Sequence, residues 1–170
     1  IRVSSITPTV EWDRRDDPLN PRRGLFASAS LEWAYPVLSA DAHFVKAQTA
    51  LSLYRPAGRG SVAAGLRVGA IEPLVRDTGE AANLQVPIGT RFFAGGQVTH
   101  RAFEIDSLGR AGDTLDAGGE PIGGNGLLLV NLEYRRPISG PLAAALFVDG
   151  GNVWADYGDM RVSQMRWGVG

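Results

Sequence analysis

Apolar and polar side chains alternate with a period of two along most of this chain. From Ser61 to Ala70, the residues Val62, Ala64, Leu66, Val68 and Ala70 share one face, and Ala63, Gly65, Arg67 and Gly69 share the other. The pattern recurs in Leu128–Arg135, where Leu128, Val130, Leu132 and Tyr134 oppose Leu129, Asn131, Glu133 and Arg135. It recurs again in Leu142–Asp149, with Leu142, Ala144, Leu146 and Val148 opposite Ala143, Ala145, Phe147 and Asp149. Such alternation predicts strands whose two faces meet unlike surroundings. Less regular versions span Leu25–Tyr35 and 44–53, and further strands are expected near Val3–Asp13 and Arg161–Val169, giving seven in all.

The connections fall into two kinds. Asp16–Gly24, Arg55–Gly60 and Ile138–Pro141 are Pro- and Gly-rich turns, whereas Pro73–Gly124 is one long connection. Loops of that length without secondary structure are uncommon and usually functional. Short turns alternating with freer loops suit an antiparallel, up-and-down transmembrane β-barrel, in which the lipid side is apolar and the lumen side polar. A soluble β-sandwich alternates in the same way. Trp33 and Tyr35 close one apolar face at a strand end, where an interfacial aromatic girdle would sit; in a sandwich they would be core.

Composition narrows the field. The 170 residues carry 17 Lys and Arg against 18 Asp and Glu, so no basic footprint for nucleic acid is present. With 22 Gly and 10 Pro the chain is turn-rich and disfavours helical folds. The absence of Cys excludes disulfides and thiolate metal sites, and two separated histidines, His43 and His100, are too few for a His-built zinc site. Mean hydropathy of −0.06 and the lack of a long apolar run exclude a membrane-spanning helix but not a barrel, whose two faces average out. Neither Gly123–Gly126 nor the acidic stretches Asp13–Asp17 and Asp106–Glu120 match a phosphate- or calcium-binding order, and no catalytic triad can be assembled. No enzyme activity and no cofactor are expected.

Parity places Glu133 and Asp149 on the lumen side of consecutive strands. Two neighbouring carboxylates require a cation between them or a proton. Arg101, in Thr99–Phe103 just after Gly95 and Gly96, is the candidate, because a guanidinium bridges two carboxylates better than an ammonium does. The alternative is a wet lumen lined by solvated acids and a solvated loop Arg.

Several segments stand in a characteristic order: Asp13–Pro18, Pro21–Gly24, Arg91–Gly96, His100–Phe103, Gly123–Asn125, Asn131–Tyr134 and Phe147–Trp154. Together they resemble the C-terminal barrel of the BamA/TamA outer-membrane assembly family, the bacterial surface antigen family, related to two-partner secretion transporters and organelle insertases. The resemblance implies a sixteen-stranded barrel behind periplasmic POTRA domains, of which residues 1–170 would supply about seven strands, roughly the eighth to fourteenth, and one long extracellular loop, 73–124, folded inward. POTRA domains, the first-half strands and the closing strands would lie outside the chain, which begins mid-pattern at Ile1. The resemblance further implies a loop lock formed by Arg101, Glu133 and Asp149, and a loop tip of His100, Ala102 and Phe103. His100 stands where the family usually has Val, and Ala102 where it usually has Gly; if that Gly has positive φ, Ala costs about 1 kcal/mol.

The implied activity is insertion of β-barrel proteins into the bacterial outer membrane, or help with autotransporter secretion, through a lateral seam and a thinned membrane. The implied partners are the lipid bilayer, unfolded outer-membrane proteins and periplasmic or membrane assembly factors. A two-partner secretion transporter and a passive outer-membrane channel are the alternatives.

Overall fold

A computed structural model of the chain describes residues 3–35, 42–75 and 79–170. Positions 76–78 of the predicted long loop lie outside them. The described residues form one antiparallel sheet of β1 (Ser5–Ile6), β2 (Thr9–Asp13), β3 (Gly24–Ala34), β4 (Phe44–Ala57), β5 (Gly60–Pro73), β6 (Gly126–Ser139), β7 (Leu142–Trp154) and β8 (Arg166–Val169). From β3 onward each strand pairs with the next one in sequence, while β1 and β2 both pair with β3. The fold is therefore all-β and up-and-down, with β1 and β2 together occupying one strand position, so that seven positions result.

Two boundaries differ from the pattern-based reading. The first predicted strand is interrupted at Thr7 and Pro8, since proline has no N–H for the ladder. The last is shorter than 161–169: its first part contains a 3-10 turn, Val162–Gln164, and pairing with β7 begins only at Arg166, opposite Gly151. Alternation alone does not distinguish a paired strand from an extended approach to one.

Register fixes which side chains share a face. Gly65 lies opposite both Ser52 and Asn131, Asn131 opposite Asp149, and Asp149 opposite Gly168. One face of the sheet thus carries Ser28, Ser30, Glu32, Lys46, Gln48, Ser52, Gly65, Arg67, Asn131, Glu133 and Asp149. The other carries Leu31, Trp33, Leu51, Leu53, Leu66, Val68, Leu132, Leu146, Val148, Trp167 and Val169, and all of these apolar side chains are exposed. An unpartnered apolar surface on this scale marks a lipid or protein contact rather than a water-facing wall. Trp33 and Tyr35 sit on it with ring centroids 5.6 Å apart.

The buried core lies on the polar face, near the end where the long connection leaves the sheet. Ala34, Phe44, Ile71, Leu127, Leu129 and Val153 from the strands pack with Val86, Phe92, Ala94 and Leu108 from the connection. That connection has its own structure. It contains 3-10 turns at Ala82–Gln85 and Ile88–Thr90 and a backbone bridge from Phe92 to Gly124. The Asn83 side-chain amide donates to Asp113 O at 3.1 Å and Gly123 O at 2.9 Å, and the Asn125 amide donates to Ala82 O at 2.8 Å. Arg91 donates to Val86 O at 2.8 Å and Ile122 O at 2.7 Å. The Phe92 ring occupies the space that a side chain at Gly69 would fill, with Lys46 Nζ 4.6 Å from its centroid. Burying that ring contributes about 1.5–3 kcal/mol to seating the connection.

The β2–β3 turn is organised by one carboxylate. Asp16 Oδ1 accepts backbone N–H bonds from Asp17, Arg22 and Arg23 at 3.0, 2.9 and 3.1 Å. These donors, that of Arg23 foremost, hold its pKa below the ordinary aspartate value. The stabilisation is thus complete above the unfolded pKa and is lost as pH falls through the lower folded value. Protection of the Arg22 and Arg23 amides from exchange, relative to their intrinsic rates, is expected to fall only in that acid range, and to be reduced at every pH in Asp16→Ala.

A side chain at position 69 would come within 2.4 Å of the Phe92 ring. Gly69→Ala is expected to weaken loop seating by about 1–3 kcal/mol. Limited proteolysis should report faster cleavage within 79–124 while the strands stay resistant.

Candidate functional site

The β6–β7 hairpin brings the two predicted acids onto one face. Asp149 lies directly opposite Asn131 and Glu133 opposite Phe147, so the carboxylates stand diagonally on neighbouring strands. Asp149 is fully buried, and the Glu133 side chain is 15% exposed. Left alone, this pair would carry two negative charges in a poorly solvated place.

Arg101 from the long loop lies between them. Its Nε donates to Asp149 Oδ2 at 2.8 Å, Nη2 donates to Oδ1 at 2.8 Å, and its backbone N–H donates to Oδ2 at 3.0 Å. Nη1 donates to Glu133 Oε2. The side-on pairing with Asp149 uses the guanidinium fork, leaving the remaining edge for Glu133. These hydrogen bonds, the one from Asp149 foremost, raise the Arg101 pKa further above its ordinary value. Its Cζ lies 3.5 Å from the centroid of the Phe147 ring, which closes the other side of the cation.

Three contributors were not singled out from the sequence. The Asn131 side chain donates to Asp149 Oδ1 and to Thr99 O, both at 2.9 Å, tying the wall to the loop backbone. Arg135 Nη2 donates to Glu133 Oε1 at 2.7 Å, so both oxygens of Glu133 are engaged and the cluster holds two cations and two anions. Phe147 supplies the stacking surface. The signal for Asn131 and Arg135 was available, because both share the parity of Glu133.

The loop tip is built to present Arg101. Gly95 has φ of 126°, and a side chain there would meet Glu104 O at 2.1 Å, so only glycine turns the chain at this point. Thr99 Oγ1 accepts from Gly95 N–H at 2.8 Å and donates to Gly95 O at 2.7 Å. Gly96 N–H donates to Phe103 O at 2.9 Å, and Phe103 N–H donates to His100 O at 3.2 Å, closing the tip. His100 is fully buried; its Nε2 donates to Arg166 O on β8 at 3.0 Å, and its ring meets Phe103 edge-on at 4.8 Å.

Ala102 carries no backbone penalty. Among described residues other than glycine only Asp106 has positive φ, so the strain expected for alanine in a family glycine position does not arise. What makes room for its methyl group is Gly168, whose Cβ, if present, would lie 2.3 Å from that of Ala102. The structure therefore brings Arg101, Glu133 and Asp149 into one cluster and sets His100, Ala102 and Phe103 against β8. Among the described residues no group of three or more His, Asp or Glu is placed to hold a metal ion.

An up-and-down antiparallel wall, apolar outside and polar inside, with a long loop fastened to its inner face, defines a segment of an outer-membrane type β-barrel. A family profile described as the Omp85 superfamily domain matches residues 3–170, and the chain belongs to that family. The fold is similar to the crystal structure of BamA from Haemophilus ducreyi lacking POTRA domains 1–3, with a TM-score of 0.73 at 21% identity. That match covers 96% of this chain and 34% of the BamA chain, so the chain spans about a third of its length. A search of curated protein sequences returned no match.

Arg101→Ala leaves a fully buried carboxylate without its cation, and is expected to cost the seated loop on the order of 3 kcal/mol. Arg101→Lys should recover only part of this, because an ammonium cannot engage both carboxylates side-on. Protease protection of the loop, ordered wild type, then Lys, then Ala, is the measurement.

Proposed function

We propose that the protein of which this chain is a part is an outer-membrane assembly factor: an insertase or translocation barrel that places β-barrel proteins in the bacterial outer membrane or assists autotransporter secretion. It works without enzymatic chemistry and without a cofactor. The observation that carries this reading is the Arg101 cluster, which holds a long loop against the inner face of the wall. Ion pairs, a buried tip and an apolar core hold a folded loop inside the wall, where it narrows the lumen. Membership in the Omp85 superfamily supports the same reading. The partners are the outer-membrane bilayer against the apolar face, unfolded outer-membrane proteins as substrates, and periplasmic or membrane assembly factors.

In this reading the cluster is a lock that keeps the wall in its working shape. The test is replacement of the native full-length protein by Arg101→Glu, and by Arg101→Glu combined with Asp149→Arg. Outer-membrane protein levels are expected to fall in the single variant and to recover in part when the charges are exchanged. Wild-type levels in the single variant, or conductance across planar bilayers with unchanged outer-membrane proteins on depletion, would sink the proposal. A dedicated secreted substrate as the sole protein lost would assign the two-partner secretion role instead.

The lipid contact has its own check. Leu66 points outward and Arg67 inward on the same strand. Leu66→Arg is expected to cost about 2–4 kcal/mol near the bilayer midplane. Arg67→Ala should be close to neutral, with both read by denaturant unfolding in vesicles.

A further inference from the structure

The apolar outer face ends differently at its two ends. At the short-turn end, Arg55 follows Leu53 on the outward face of β4, opposite Val62, and Arg136 follows Tyr134 on the outward face of β6, opposite Ala144. Arg59 lies in the β4–β5 turn between them, and Arg14 stands beside β2 with Cζ 5.5 Å from the Trp12 ring. All four are exposed, and among the described residues none of them forms an ion pair. The β4–β5 and β6–β7 turns contain no acid. At the opposite end the exposed described outward strand positions include Trp33 and no Lys or Arg, with Tyr35 following β3, while Trp154 is buried and donates to Gln164. The near-zero net charge of the chain conceals this asymmetry.

We propose that Arg55, Arg59 and Arg136, with Arg14 at the flank, form a binding row for the phosphates of anionic glycerophospholipid headgroups at the short-turn end of the barrel wall. The proposal rests on the lipid-facing reading of the apolar surface given above. Arg55 and Arg59 close the β4–β5 end of the apolar face, while exposed Ile138 and Leu142 continue it past Arg136 to the β6–β7 turn. Cations at the margin of an apolar band run their aliphatic stems along hydrocarbon while the charged ends reach the interface. A guanidinium presents its donors in a fork that matches a phosphate. Trp12 and Tyr134 flank the row as amphipathic anchors. The row fixes the depth of the wall and commits its short-turn end to the leaflet that supplies anionic phospholipid. Each arginine is worth about fivefold in partitioning to an anionic surface.

The experiment uses the full-length protein reconstituted in vesicles of phosphatidylcholine alone and of phosphatidylcholine with phosphatidylglycerol, followed by native mass spectrometry of retained lipid. Wild type is expected to retain phosphatidylglycerol preferentially. The Arg55→Gln, Arg59→Gln, Arg136→Gln triple variant should lose that preference at least tenfold while still inserting, as heat-modifiable mobility would show. The corresponding Lys triple keeps the charge, folds under the same conditions, and should retain an intermediate preference. Arg67→Gln, on the inner face, should behave as wild type. Equal retention of both lipids by wild type, or an undiminished preference in the Gln triple, overturns the row. Failure of wild type to insert into either vesicle overturns instead the lipid-facing reading on which it rests.

Discussion

A single guanidinium held between two carboxylates organises the inner face of this protein. Glu133 and Asp149 are brought together by the register of one hairpin, and neither can leave the other without breaking the ladder. The resulting pair of negative charges is tolerable only because Arg101 arrives from the loop and Arg135 balances the remaining charge. The dependence runs both ways. The loop has no paired strand to hold its tip, so its position rests on this cluster, on the His100 bond to β8, and on the packing of Phe92 over Gly69.

The remainder of the fold follows from strands that separate two environments. Along most of their length the strands present apolar residues outward and small or polar residues inward, and the inward apolar residues Phe44, Ile71, Leu127, Leu129 and Val153 form a core where the loop returns to cover them. This inverts the arrangement of a soluble sheet protein, whose apolar face is internal. The inner positions of β3, β4 and β5 mix small residues such as Ser28, Ser30, Ala50, Ser52, Ala63 and Gly65 with the longer polar side chains of Glu32, Lys46, Gln48 and Arg67.

Much of this was legible in the residues. Strict alternation in 61–70, 128–135 and 142–149 placed the strands and their faces, and the parity of Glu133 and Asp149 predicted that two acids would share the inner side. Electrostatics then demanded a cation, and Arg101 in its glycine-flanked segment was the candidate. Other parts were hidden for identifiable reasons. The start of β8 at Arg166 depends on where β7 offers free hydrogen-bonding groups, which no local pattern encodes. The tolerance of Ala102 depends on an absent side chain at Gly168, sixty-six positions along the chain. Asn131, Arg135 and Phe147 take their roles from what the loop places against them.

Period, parity and charge are local properties, carried by side-chain chemistry and the two-residue repeat of a strand, and they suffice for the class of fold, the two faces and the need for a counter-ion between the acids. Distance is not local. Whether Arg101 meets Asp149, which glycine receives which ring, and that Asn131 reaches the backbone of Thr99 were decided by the closure of the long loop onto the sheet. Such contacts depend on the summed register of several strands and on the volume left between them, and neither quantity can be read from one segment of chain at a time.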